Sequence, residues 1–137
     1  MPSPLTIAQL ARAVGMSIED VGSYRDRGLL PPPRRVRGRE GDVAFYQDHA
    51  ERLRFIQRAL ELEFPLEDIA RLVDPQILVT SGDVRELARG HLARLHQDPA
   101  RWQDAIATLS RLIAACPGTG RRQECAILAY LNGKPGG

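Results

Sequence analysis

TIAQLARAVGMSIEDVGSYRDRGLL, residues 6–30, is the stretch whose punctuation decides the fold. Thr6 suits an N-cap, and Ile7, Leu10, Ala11 and Val14 follow it at helical spacing. Gly15 ends that helix within eight residues of its start. Ser17 then caps a second helix, with Asp20 three residues on in a capping-box arrangement and Ile18, Val21 and Tyr24 inside it. Gly28 stops the second helix, leaving Leu29 and Leu30 to pack beneath it. Two short helices joined by a tight glycine-containing turn make a helix-turn-helix.

Outward from this pair the chain changes character. PPPRRVRGREGDVAF, residues 31–45, cannot begin as helix, because three prolines lack backbone donors and impose extended geometry. It reads as a basic β-hairpin wing. Arg25, Arg27, Arg34, Arg35, Arg37 and Arg39 lie within fifteen positions, opposed there only by Asp26. The overall charge of +2 says little about partners, but this cluster supplies the phosphate-facing charge of a DNA-binding module. Ser17 at the helix start, with Tyr24, Arg25 and Arg27 on or just after the second helix, can reach a major groove or its flanking phosphates. Arg34, Arg35, Arg37 and Arg39 meet the DNA backbone from the wing.

A third helix is expected from about Gln47 to Leu62, and Pro65 suits the start of a fourth carrying Leu66, Ile69, Ala70 and Val73. Ser81 is read as the cap of a long segment reaching about Ala114. Its apolar positions Val84, Leu87, Ala88, Leu95, Trp102, Ile106, Leu109 and Ile113 form a narrow seam suited to a partner helix. Asp98-Pro99 interrupts that seam, so a kink or a break is expected there.

The two cysteines, Cys116 and Cys125, flank a loop of eight residues rich in Pro and Gly. With 137 residues and 43% hydrophobic content, the chain has the length and composition of one or two small soluble domains. No signal peptide or membrane-spanning run is visible, so a cytoplasmic setting without a membrane partner is expected, where a structural disulfide is unfavoured. The thiols are then candidates for soft-metal binding or redox work. His49, His91 and His96 have no short pairing with them and read as surface or packing residues. No acid–base or nucleophile constellation suggests an enzyme.

The order of these parts resembles the MerR family of transcriptional regulators, through TIAQLARAVGMS, YRDRGLLPPPR, FPLEDIARL and the closing CPG…CAILAYLNG. The resemblance implies a mainly α fold: an N-terminal winged helix-turn-helix over 1–75, a dimerisation helix over 76–115 pairing as an antiparallel coiled coil in a homodimer, and a metal-binding loop, short helix and tail over 116–137. It implies that Cys116 and Cys125 hold a metal ion while Ser81 and Arg85 of the partner protomer reach in beside them. Ser rather than Cys at position 81 resembles the sensors of monovalent ions, Cu(I), Ag(I) or Au(I), whereas the loop length is similar to that of mercury sensors. Double-stranded promoter DNA and RNA polymerase are the implied partners. Two arginines of the family pattern are missing, at Gly22 and Val43, and Pro99 has no usual counterpart. A divalent-ion sensor such as one for Hg(II), a thiol redox regulator, and a metal-sequestering protein with a decayed DNA module stand as alternatives.

Overall fold

In a computed structural model of the chain, residues 4–35 and 43–133 are described, and they are mainly helical. The chain forms two compact units that divide inside one helix, Met1–Arg54 and Phe55–Gly137. Among the described residues, no helix is long and apolar enough to cross a membrane.

The first unit holds α1 (Ile7–Val14), α2 (Ile18–Asp26), a hairpin of β1 (Arg34–Arg35) and β2 (Val43–Ala44), and the start of α3 (Gln47–Glu61). Thr6 and Gln9 satisfy each other's backbone amides at 3.1 and 2.9 Å, a complete capping box. Gly15 closes α1 at φ 72°, a conformation that costs a side chain more than it costs glycine. Ser17 accepts from the Asp20 amide at 3.0 Å, so the cap forms through the serine hydroxyl rather than as the complete box expected. Val21, Leu29 and Leu30 are buried, so the helix-turn-helix closes on its own apolar face. Arg34 pairs with Ala44 and Arg35 with Val43 across the antiparallel strands, and Leu5 bridges to Phe45 beside them. This is the stalk of the expected wing; residues 36–42, with Arg37 and Arg39, lie outside the described residues. His49 is buried, accepting from the Tyr46 amide through Nδ1 at 3.0 Å and bonding the Pro32 carbonyl through Nε2 at 3.2 Å. It is a packing residue, as expected.

The second unit contains the end of α3, α4 (Leu66–Leu72), α5 (Ser81–Leu95), α6 (Gln103–Ala115), a 3₁₀ turn (Arg122–Glu124) and α7 (Ala126–Leu131). The segment 81–115 is two helices: the interruption expected at Asp98-Pro99 is a break, and α5 and α6 pack against each other. The cause lies at Asp98-Pro99. Proline has no amide to donate and its ring crowds the carbonyl four residues back, so the helical ladder stops at Leu95 and restarts after Trp102. Five seam positions, Val84, Ala88, Leu95, Leu109 and Ile113, are buried within the chain, while Leu87, Trp102 and Ile106 are half-buried. The N-cap of α5 is also one residue earlier than expected. Thr80 exchanges hydrogen bonds with Asp83, while Ser81 is the first helical residue and fully buried. The Thr80 amide, bonding the Asp83 carboxylate, holds that carboxyl below its ordinary pKa.

Candidate metal centre and DNA-facing residues

The break at Pro99 folds α6 back along α5, so the end of α6 returns to the start of α5. Cys116 is the C-cap of α6, and Cys125 is the residue immediately before α7. Their sulfurs lie 3.3 Å apart, both free and both buried. The Ser81 hydroxyl lies 3.1 Å from the Cys116 sulfur, and the Cys116 thiol is 3.8 Å from the Ser81 carbonyl oxygen. Among the described residues, no third His, Cys, Asp or Glu joins the two cysteines as a metal-binding group.

The loop carrying the thiols is held against the residues that lead into α5. The Ser81 amide donates to the Gly120 carbonyl at 3.2 Å, and Thr80 bridges to Arg121. Arg122 spans further: its Nη1 donates to the Leu78 carbonyl and its Nη2 to the Leu72 carbonyl at 2.8 Å. A Cβ added at Gly82 would stand 2.8 Å from the Gly118 carbonyl oxygen, so only glycine lets the loop backbone approach the first turn of α5 this closely. The Arg85 guanidinium lies against Gly118, and its buried Nε has no hydrogen-bond partner. Sequence reasoning named the thiols, Ser81 and Arg85 but missed Arg122 and Gly82. Neither has a local signature, because what each does depends on a segment dozens of residues away.

The two thiols are electrostatically unequal. Burial pushes the Cys116 thiol up, but the Ser81 hydroxyl, the Gly118 amide, the Cys125 thiol and the Ala126 amide together outweigh it, and the net direction is down. Burial dominates at Cys125 and pushes it up to about 11, despite help from the Leu128 and Ile127 amides. Deprotonation therefore begins at Cys116, with Cys125 donating to it. A centre with two soft sulfur donors and several amides directed at them suits a soft metal ion. Hard, oxygen-seeking cations would find no carboxylate here.

The first unit carries the residues expected at DNA. Ser17 caps α2, Tyr24 and Arg25 lie on α2, and Arg27 is its C-cap. Arg25 and Arg27 are exposed, whereas Tyr24 is half-buried, and burial, then Asp20, raises its pKa. Arg34 is not a free cation: it pairs with Asp48 at 2.7 Å and lies over the Tyr46 ring. A phosphate reaching Arg34 must compete with that carboxylate. Arg35 occupies β1, and Arg37 and Arg39 belong to the segment outside the described residues.

The chain is similar to known proteins. The model of the MerR HTH family regulatory protein matches residues 5–76, and that of the MerR DNA-binding region matches residues 50–112. A probable heavy metal-dependent transcriptional regulator of Haemophilus influenzae is 30% identical, over 94% of this chain and 100% of its own length. A mercuric resistance operon regulatory protein of Pseudomonas fluorescens is likewise 30% identical, over 94% of this chain and 88% of its own. Among solved structures, the transcription regulator PbrR691 of Ralstonia metallidurans CH34 in complex with Lead(II) superposes with a TM-score of 0.62 at 26% identity, covering 93% of this chain and 98% of that one. With a helix-turn-helix, a wing stalk and a buried thiol pair already in view, and a family model spanning more than half its length, the chain belongs to the MerR family of DNA-binding transcriptional regulators, which are not enzymes.

Proposed function

We propose that this chain is a cytoplasmic, metal-responsive transcriptional regulator that takes a soft monovalent ion, Cu(I), Ag(I) or Au(I), on Cys116 and Cys125. One observation carries the choice of charge: the neighbour 3.1 Å from Cys116 is the Ser81 hydroxyl and not a third thiol. Two thiolates on a monovalent ion leave one negative charge, which a buried site tolerates only beside donors or a counter-charge. The amides of Gly118 and Ala126 and the Arg85 guanidinium against Gly118 supply these. Relatives named for mercury and lead keep a divalent ion as the rival.

The ion changes the loop through geometry. A linear sulfur–metal–sulfur unit needs its sulfurs on opposite sides of the ion, two metal–thiolate bonds apart, whereas the free thiols are 3.3 Å apart. Loading the site spreads the two ends of the loop, and Arg122 carries that movement to Leu72 at the end of α4. The helix-turn-helix of a homodimer reads a near-palindromic promoter site, and the ion shifts the balance between two promoter-bound shapes before RNA polymerase. It can do so only by its difference in affinity for the two.

Titrating the reduced protein with Cu(I) and Hg(II) against competing chelators tests this reading. Wild type should prefer Cu(I), and Ser81→Cys should strengthen Hg(II) binding. A substitution that leaves Hg(II) affinity unchanged removes Ser81 from the account. A thiol–disulfide regulator is the second reading, favoured by the 3.3 Å sulfur contact, since oxidation need only close it to about 2.05 Å. A metal-free disulfide that alone changes promoter output would establish that alternative.

A further inference from the structure

We propose that Ile18 is a sequence-reading residue, meeting the C5-methyl group of a thymine in the major groove of the promoter site. Among the described residues, the exposed large apolar side chains are Ile18, Ile77 and Val79, and Ile18 is the one in the first unit. It is 50% exposed, although Val21, three residues on in the same helix, is 0% exposed. A single exposed apolar residue is ordinary on a protein surface; what sets Ile18 apart is its place. It is the first residue of α2, directly after the Ser17 cap. The second helix of a helix-turn-helix enters the major groove with its N-terminal residues at the base edges. A β-branched side chain does nothing for the helix there.

The surroundings direct this side chain to a base rather than to the DNA backbone. Glu19 and Asp20 follow in the first turn, and their carboxylates repel phosphate from that end of the helix, leaving base edges as its contacts. Ile18, Gly22 and Arg25 stand at i, i+4 and i+7, one stripe of α2. Gly22 has no side chain, and a Cβ built there would meet only the Arg25 Nη2, at 3.9 Å. DNA can therefore approach the helix backbone closely at Gly22, which brings the short Ile18 side chain within reach of a base. Arg25 is exposed beside it and can neutralise a phosphate. Ile18 carries no polar side-chain atom, so of the groups the major groove displays, the thymine methyl is the one it suits.

This inference rests on the reading of α2 as the helix that meets promoter DNA. The full chain is used to select its site from a random-sequence duplex library. Each thymine of the selected duplex is then replaced singly by deoxyuridine, which removes the methyl and keeps the hydrogen-bonding edge. Affinities of wild type and Ile18→Ala are measured by fluorescence anisotropy at one salt concentration. The expected result is a thymine in each half-site whose methyl is worth about fourfold to wild type, the value of one buried methyl group, and nothing to Ile18→Ala. Ile18→Val, which keeps a branched apolar end, should retain the discrimination. Alanine is the better helix former, so Ile18→Ala should melt no earlier than wild type by circular dichroism, and its loss of affinity is then a loss of contact. A selected site that no deoxyuridine weakens overturns the inference, and so does a methyl effect that persists undiminished in Ile18→Ala; both leave α2 as the DNA-facing helix. Failure to select any site overturns that reading, and the inference with it.

Discussion

The two units hold their functional residues by different means. In the first, the side chains proposed to meet DNA stand on helices punctuated by contacts three residues long: Thr6 with Gln9, Ser17 with Asp20. In the second, the contacts that position the thiols link residues 35 to 50 positions apart: Ser81 to Cys116, Leu78 and Leu72 to Arg122. A site built from local contacts survives a loosening elsewhere in the chain. A site built from distant ones reports on the fold that closes it, which is what a ligand-driven switch requires.

Cys116→Ser breaks the comparison most severely on one side only. It removes the sulfur that deprotonates first, so soft-ion affinity should fall by more than the roughly 100-fold that even an outer-shell partner can cost. Promoter DNA affinity in a gel shift should be largely retained. Equal loss of both would mean that reading DNA and binding the ion are not separable roles.

Arg122→Ala tests whether long contacts govern the second unit. It leaves both thiols intact but orphans the carbonyls of Leu72 and Leu78, at a cost of about 3–6 kcal/mol for two bonds from a charged donor. Ion affinity should drop about 10- to 100-fold through lost loop order, and ion-dependent promoter output should drop further than affinity alone explains. Arg122→Lys, reaching one carbonyl, should fall between. If output simply follows site occupancy, Arg122 does not transmit the loop's movement.

The same contrast explains what could be read from the amino acids alone. Ser17, Gly15 and Gly28 announce the helix-turn-helix because a cap or a left-handed residue acts within one turn, and the capping rules are written for that range. The thiols and Ser81 were legible as types at a spacing. Their closure was not, since a seam of Val84, Ala88, Leu109 and Ile113 looks the same whether its partner is another chain or its own second half. Pro99 was the only local sign of the answer, and it permitted a bend as well as a break. Arg122 and Gly82 left no sign, because an arginine in a basic loop and a glycine in a helix's first turn are ordinary until the opposite backbone is known.

A smaller effect separates the units from the other side. Ser17→Ala removes the hydroxyl that accepts from the Asp20 amide and should cost about 1 kcal/mol in denaturant unfolding. DNA affinity should weaken with it as α2 frays at its start. Ion affinity at Cys116 and Cys125 should stay at the wild-type value; a shift there would show that the locally built unit governs the distant site as well.

The smallest effect comes from a group that touches neither function. His91 is buried on α5, stacks on Phe64, and bonds the Leu62 carbonyl through Nε2 at 2.7 Å. Burial chiefly, with Arg94 helping, pushes its pKa below the ordinary 6.5, against the Leu62 carbonyl, Asp68 and Glu63, which push it up. The unfolded chain therefore takes up a proton near pH 6.5 that the folded chain still refuses, and stability must fall as pH drops through that value until the folded pKa is reached. Thermal midpoints between pH 8 and pH 5 should decline more steeply for wild type than for His91→Gln, which has nothing to titrate there. Parallel profiles would mean that His91 charges as freely in the fold as out of it, and the joint it makes between α5 and the end of α3 would then be looser than its hydrogen bond implies.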